Sequence, residues 1–190
     1  MKTTKENTGV LKWVFLFSLS ILLFAGCKKE DTSWGNMTVK MTDSPGNLGE
    51  VNVEITGMDV NYSDQKSGNS GWLTLAVKSG VYDLLQLQNN ITVVLADNVK
   101  LPIGKVNQLR LMLGTHNYVV TGDSSGRQVF PLVIPSSAQT GIKINIDSQI
   151  ESTKNLVITL DFDAAASVNN EGNGTFIMNP VIRVKSVVSQ

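Results

Sequence analysis

Residues 51–55 read VNVEI, and apolar and polar side chains alternate along them. Because successive side chains of a β-strand point to opposite faces, this alternation puts one face on a core and the other in water. The same period of two occurs in MTVKM (37–41) and in IKINI (142–146). The stretch therefore predicts a strand of a half-buried sheet, and β-branched residues are typical of that setting.

Short apolar runs of this kind continue through residues 36–188, and turn-forming segments separate them. The clearest turns are DSPGN (43–47), KSGNSG (66–71), TGDSSG (121–126) and NNEGNG (169–174). No stretch has a sustained helical period, and AAAS (164–167) forms one turn at most. About ten short strands indicate an all-β sandwich or barrel, and we expect a single antiparallel β-sandwich of Greek-key, transthyretin-like or immunoglobulin-like type.

The composition excludes several classes of protein. The chain carries 16 Lys and Arg against 16 Asp and Glu, so no basic field favours a nucleic acid partner. Its one cysteine, Cys27, and one histidine, His116, can form neither an internal disulfide nor the usual zinc clusters. His116 is also the sole base of the usual type for nucleophilic catalysis, and no G-x-S-x-G motif accompanies it. We therefore expect a protein that is not an enzyme.

Residues 1–26 have the pattern of a signal peptide. Three lysines precede the uncharged run WVFLFSLSILLFAG (13–26), which is shorter than the about 20 apolar residues that span a bilayer. The run leads into FAGC, which resembles the lipobox of bacterial lipoproteins, although Phe24 stands where an aliphatic residue is usual. The resemblance implies that Cys27 is acylated and anchors the chain in a membrane. An ordinary signal peptide or an uncleaved anchor is the alternative.

Residues 27–35 lack apolar periodicity, and we expect them to form a flexible lipidated tether. Glu30 and Asp31, shortly after the cysteine, resemble the surface-export signal of Bacteroidota lipoproteins. This implies an outer-membrane lipoprotein exposed on the cell surface, with the periplasmic face as the alternative. The predicted division is a signal peptide (1–26), a tether (27–35) and a β-sandwich domain (36–188).

The acidic residues of LDFDAAASV (160–168) are the first candidate site. On a strand, Asp161 and Asp163 would share one face while Phe162 points to the other. Close carboxylates need hydrogen-bond donors or a cation, and calcium prefers oxygen ligands of this kind. Asp43, in TDSPG, joins the set if its loop lies nearby. Three interpretations stay open: a calcium site, carboxylates satisfied by backbone amides, and a hydrolase that uses Asp161 and Asp163. We expect no other cofactor.

The aromatic residues are the second candidate site. Trp72 opens a predicted strand after KSGNSG, and Tyr62 ends the strand before it, so the two are expected to be neighbours across a hairpin. Such a pair can form a platform on which a sugar ring stacks. Packing in the core or a cross-strand aromatic contact is the alternative. Trp34 falls in the predicted tether.

Six segments together resemble the bacterial and archaeal domain of unknown function 4382. They are MTDSPGNLGEVNVEITGMDV, VYDLLQL, LPIGKVNQLRLML, PSSAQTGIKI, LDFDAAASV and MNPVIRV, and they occur in that family's order over about residues 36–185. The resemblance implies a secreted or lipid-anchored envelope domain with a β-sandwich fold, and it brings no activity with it. Its recurring acidic, glycine and lysine positions correspond to Asp43, Asp161, Asp163, Gly141 and Lys143.

The function that we expect is a non-catalytic binding module of the cell envelope. Loops on a rigid sheet are a usual place for recognition, and the partner would be a glycan or another envelope protein. The alternative is a structural, adhesion or assembly subunit that uses an edge strand to extend a neighbour's sheet. A hydrolase is the third hypothesis.

Overall fold

The computed structural model describes residues 33–44, 48–65, 67–122 and 125–190. The predicted signal peptide, the predicted lipidation site Cys27 and most of the predicted tether lie outside the described residues. Within the described part of the chain, no helix has the length and apolar character that crossing a membrane requires.

The described residues form thirteen strands joined by turns and three single-turn helices. The strands are β1 (Trp34–Thr42), β2 (Glu50–Asp64), β3 (Ser70–Thr74), β4 (Gly80–Asp83), β5 (Val93–Pro102), β6 (Gly104–Leu113), β7 (Tyr118–Thr121), β8 (Gln128–Val133), β9 (Ile142–Ile150), β10 (Asn155–Phe162), β11 (Val168–Gly172), β12 (Thr175–Met178) and β13 (Ile182–Ser189). A 3-10 turn spans Leu84–Leu87, and the helices α1 and α2 span Ser136–Gln139 and Ala164–Ser167.

The strands form two sheets around one hydrophobic core. The first sheet has the order β13-β10-β1-β5, and the second has the order β11-β12-β8-β7-β2-β6-β9, with β3 and β4 also paired to β2. Alternate residues of both sheets pack into the same core, for example Val39 and Ile158 from the first sheet and Val53 and Leu109 from the second. The predicted all-β sandwich is therefore confirmed.

The pairing within the sheets is mixed rather than purely antiparallel. Strands β1 and β10 run parallel, and so do β8 and β12. The sequence did not show this because the side chains of parallel and antiparallel strands alternate with the same period of two. The number of strands is also larger than the predicted ten, since several short segments such as β4 and β11 form ladders of their own.

The folded domain begins earlier than the sequence predicted. Trp34 and Gly35, which were assigned to the tether, lie in β1 and pair with Pro102 and Leu101 of β5. Gly35 also packs so closely that an added Cβ would lie 2.2 Å from the carbonyl oxygen of Glu151. Tertiary contacts thus extend the first strand beyond the alternating pattern of MTVKM.

The long strand β2 organises the second sheet. Its Ile55 pairs with both Leu113 of β6 and Gly80 of β4, so β6 and β4 lie on opposite edges of β2. The hairpin partner β3 likewise lies opposite β6, because Asn61 pairs with a residue of each. Strands β3, β2, β6 and β9 therefore follow one another across the sheet and present a common outward face.

Candidate ligand-binding face

Trp72 and Tyr62 belong to the predicted hairpin but face opposite sides of the sheet. Trp72 pairs with Asn61, and Tyr62 pairs with Gly71. Because neighbouring residues of a strand point to opposite faces, Tyr62 enters the core at 8% exposure while Trp72 is 36% exposed on the outside. Burial raises the pKa of Tyr62 above its ordinary value. The two rings therefore do not form the predicted aromatic platform together.

Trp72 lies against a charged pair instead of a second ring. The guanidinium carbon of Arg110 is 4.5 Å from the centroid of the Trp72 ring, within the range of a cation–π interaction. Nε and Nη2 of Arg110 both donate to Oδ2 of Asp59, the Nε bond at 3.1 Å, and the hydroxyl of Thr74 donates to Oδ1 at 2.9 Å. The Asp59 side chain is 8% exposed and the Arg110 side chain 28% exposed. This half-buried pair fixes the guanidinium beside the indole ring.

Polar residues extend from Trp72 across four strands. Residues directly opposite one another on paired strands share a face. One row runs Thr74, Asp59, Arg110, Lys143, and the next runs Trp72, Asn61, Gln108, Asn145. We call the surface formed by these eight residues the polar face.

Amide side chains are bonded to one another within the polar face. Nε2 of Gln108 donates to Oδ1 of Asn145 at 2.7 Å. Asn107, which is not a member of the face but precedes Gln108 in the chain, donates from Nδ2 to Oδ1 of Asn61 at 3.1 Å. Because Asn and Gln each carry donors and acceptors, these groups keep hydrogen-bonding capacity beyond these bonds. Asn145 is exposed, and Asn61 and Gln108 are half-buried. The arrangement is a row of hydrogen-bonded amides beside one exposed indole ring.

The three predicted aspartates come together elsewhere, at the end of β1 and β10 in the first sheet. Oδ1 of Asp43 accepts a bond of 2.8 Å from the backbone N–H of Ala164, and Oδ2 accepts one of 3.3 Å from Gln88. Asp43 is 2% exposed. Burial raises the pKa of Asp43, the two bonds oppose this, and the charges of Asp161 and Asp163 raise it further.

Asp161 and Asp163 are engaged mainly by protein donors. The hydroxyl of Ser44 donates to Oδ2 of Asp161 at 2.7 Å, while the buried Oδ1 of Asp161 has no hydrogen-bond partner among the described residues. Oδ1 of Asp163 caps α2 by accepting from the N–H of Ala166 at 2.9 Å, and Arg183 lies 3.4 Å from its Oδ2. Phe162 between them is fully buried. The prediction that Phe162 points to the face opposite the two aspartates is therefore confirmed.

The calcium interpretation of these aspartates stays a prediction. In the described ranges, no group of three or more His, Cys, Asp or Glu residues has an arrangement that could hold a metal ion. The amide interpretation agrees with the bonds that Asp43 and Asp163 accept. The aspartates and Trp72 lie on different sheets, so the structure does not bring the two candidate sites together.

His116 lies at the surface just before β7. Its backbone N–H and its Nδ1 are both 2.9 Å from Oε2 of Glu54. These bonds lower the pKa of Glu54, the backbone bond being the largest cause. The histidine therefore serves as a partner that orders the β6–β7 turn.

Sequence reasoning missed most members of the polar face. Met58, Val60 and Tyr62 alternate with Asp59 and Asn61, and this pattern is a signal that could have assigned Tyr62 to the core. The pairing of Asp59 with Arg110 left no such local signal, since 51 positions separate the two. The pair can be recognised only when the pairing register of β2 on β6 is known.

One known family matches the folded part of the chain. The family model described as a domain of unknown function (DUF4382) matches residues 34–180, from the first residue of β1 to the loop before β13. No curated protein and no solved structure matches the chain. The match covers most of the chain, and the protein therefore belongs to the DUF4382 family.

Proposed function

We propose that this protein is a non-catalytic glycan-binding module that uses its polar face. The observation that carries the proposal is the exposed Trp72 ring, which lies against Arg110 and beside a row of exposed and half-buried amides. An indole ring offers a flat apolar surface for the C–H face of a sugar ring. Amide donors and acceptors suit sugar hydroxyls, and ligand sites combine apolar area with a few placed polar groups in this way.

The rigidity of the face supports binding. Asp59 holds Arg110 through two bonds to one oxygen, and Thr74 occupies the other oxygen. Since these side chains are already ordered, a ligand loses less free energy to freezing them than it would on a mobile loop. The paired strands beneath keep Trp72, Asn61 and Gln108 in one row.

The chemistry of the face supports a binding role rather than hydrolysis. Its one carboxylate is Asp59, and both of its oxygens accept hydrogen bonds from neighbouring side chains. A general acid or base must reach the proton that it transfers, and a carboxylate engaged on both oxygens is poorly placed for that step.

The proposal includes the location of the module. The lipobox-like FAGC segment supports acylation at Cys27 and anchoring of the chain in the outer membrane, and the acidic pair after it supports exposure at the cell surface. A single acyl chain anchors only marginally, so we infer that Cys27 carries several chains. The domain would then meet glycans at the cell surface.

An assembly subunit is the second candidate, and one strand favours it. Strand β13 lies at the edge of the first sheet and pairs with β10, and its Val187 and Val188 are exposed. An exposed edge strand can accept a strand from another protein. A pull-down from envelope extract, with and without substitutions in β13, separates this role from glycan binding.

The decisive experiment for the glycan proposal is a glycan-array screen of the full-length protein. The protein is kept in a polyoxyethylene detergent that carries no sugar. We expect binding by the wild type and its loss in Trp72→Ala. Trp34→Ala is the matched control, because Trp34 is 38% exposed and also lies under a cation, Lys100, but belongs to the other sheet. Unchanged binding in Trp72→Ala, with thermal stability retained, would contradict the proposal.

A further inference from the structure

The cations of the polar face and its surroundings differ in whether they have a carboxylate partner. Arg110 is bonded to Asp59, and Nζ of Lys105 lies 2.6 Å from Oδ1 of Asp147. Lys143, which is exposed, forms no ion pair with any described residue. One unneutralised positive charge therefore remains in the row that crosses the face.

The position of Lys143 places this charge within reach of a ligand stacked on Trp72. Lys143 is paired with Arg110 on the neighbouring strand, and the Trp72 row is the next row of the same face. Three strand spacings separate β3 from β9, which is about 14 Å across the sheet. A short oligosaccharide can lie along the amides of Asn61 and Gln108. One end of it would contact Trp72, and the other end would contact Lys143.

Arg110 does not offer the same charge to a ligand. Two of its nitrogen atoms donate to Asp59, and its guanidinium carbon lies 4.5 Å from the centroid of the Trp72 ring. It acts as a positioning residue for the indole. The ammonium group of Lys143 has three donors and an exposed position, so an anionic group of a ligand would meet it first.

We propose that the glycan recognised by the polar face is anionic, with a sugar ring on Trp72 and a carboxylate or sulfate group at Lys143. This inference rests on the glycan-binding function proposed above. Charge complementarity of this kind contributes mainly to specificity and to the rate of association. The proposal therefore predicts that the protein binds an acidic glycan more tightly than a neutral glycan of the same backbone.

The test compares ligands that differ only in charge. Binding of the full-length protein in sugar-free detergent is measured to polygalacturonate and to its methyl ester, which has the same backbone without the carboxylates. Chondroitin sulfate, which carries both groups, and its desulfated form distinguish sulfate from carboxylate. We expect the wild type to prefer the charged form, and the preference to weaken between about 0.15 M and about 0.5 M salt because salt screens exposed charges.

Variants connect the preference to one side chain. Lys143→Gln should lose about fivefold in affinity for the acidic polymer, in line with an exposed ion pair, and should bind the ester as the wild type does. Lys78→Gln is the matched control, because Lys78 is also exposed but lies in the loop bonded to Leu95 of the first sheet. Trp72→Ala should lose both ligands.

The outcomes separate the two proposals. Equal binding of acid and ester by the wild type, with loss in Trp72→Ala, overturns the anionic ligand and leaves glycan binding in place. A charge preference that survives in Lys143→Gln also overturns the assignment of the anion to Lys143. Binding of no glycan, or full binding by Trp72→Ala, overturns both.

Discussion

A Cβ atom on Gly141 would lie 2.6 Å from Cγ of Arg110, on the neighbouring strand. The φ angle of Gly141 is +95°, which side chains rarely allow. This glycine thus leaves room for the stem of Arg110, whose guanidinium is bonded to Asp59 and lies against Trp72. The position is one of those that the family resemblance marks, and the structure gives it a physical role beneath the polar face.

Replacing Gly141 with Ala should therefore disturb both stability and binding. We expect a loss of about 1–3 kcal/mol in the free energy of unfolding from the strained backbone, and a further effect on glycan affinity because Arg110 must move. Urea unfolding and glycan binding measure the two effects. Gly126→Ala is the control, since an added Cβ there meets no atom within 4 Å. Equal behaviour of the two variants would contradict this role of Gly141.

Asp43 should make stability depend on pH. Its pKa is raised in the fold, chiefly by burial, so the folded state binds more protons than the unfolded state just above the ordinary pKa of Asp. Stability should therefore fall as pH rises from that ordinary value through the raised one. Asp43→Asn should flatten this fall when urea unfolding is followed upward from about pH 4. Asp97→Asn, at an exposed position, is the control, and an unaltered slope in Asp43→Asn would count against the prediction.

The calcium hypothesis makes a separate prediction for the same cluster of aspartates. A cation bound by Asp43, Asp161 and Asp163 would give the unpartnered Oδ1 of Asp161 a partner. Binding to the folded form alone must raise the melting temperature. Melting curves are compared in saturating calcium and in chelator, with Asp161→Asn as the control variant. An identical melting temperature in both conditions would remove the cation site.

Acylation can be tested at Cys27. Cys27→Ala should move the protein out of the membrane fraction and abolish labelling by a fatty-acid analogue, because the thiol is the attachment point in the lipoprotein interpretation. Cell fractionation with wild type alongside provides the measurement. A variant that remains in membranes without any change in labelling would show that the N-terminal segment anchors the chain in another way.

The sequence by itself determined the fold class and indicated the proposed location at a membrane. The alternation in VNVEI and IKINI follows from local strand geometry, so it identified the sheets without knowledge of their neighbours. The FAGC motif is likewise recognised from consecutive residues, without knowledge of the tertiary structure. Strand alternation related Asp161 to Asp163, whereas Asp43 joined them only on the condition that its turn lay nearby.

Only the tertiary structure decided the polar face. Trp72 was visible as a candidate, but its partner is Arg110 rather than Tyr62, and Asp59, Gln108 and Asn145 joined the site through strand pairing. Pairing register is a non-local property: a shift by one residue turns every side chain of a strand to the other face. Local alternation predicts that a strand has two faces. The packing of distant strands decides which residues of different strands meet on each face of the sheet.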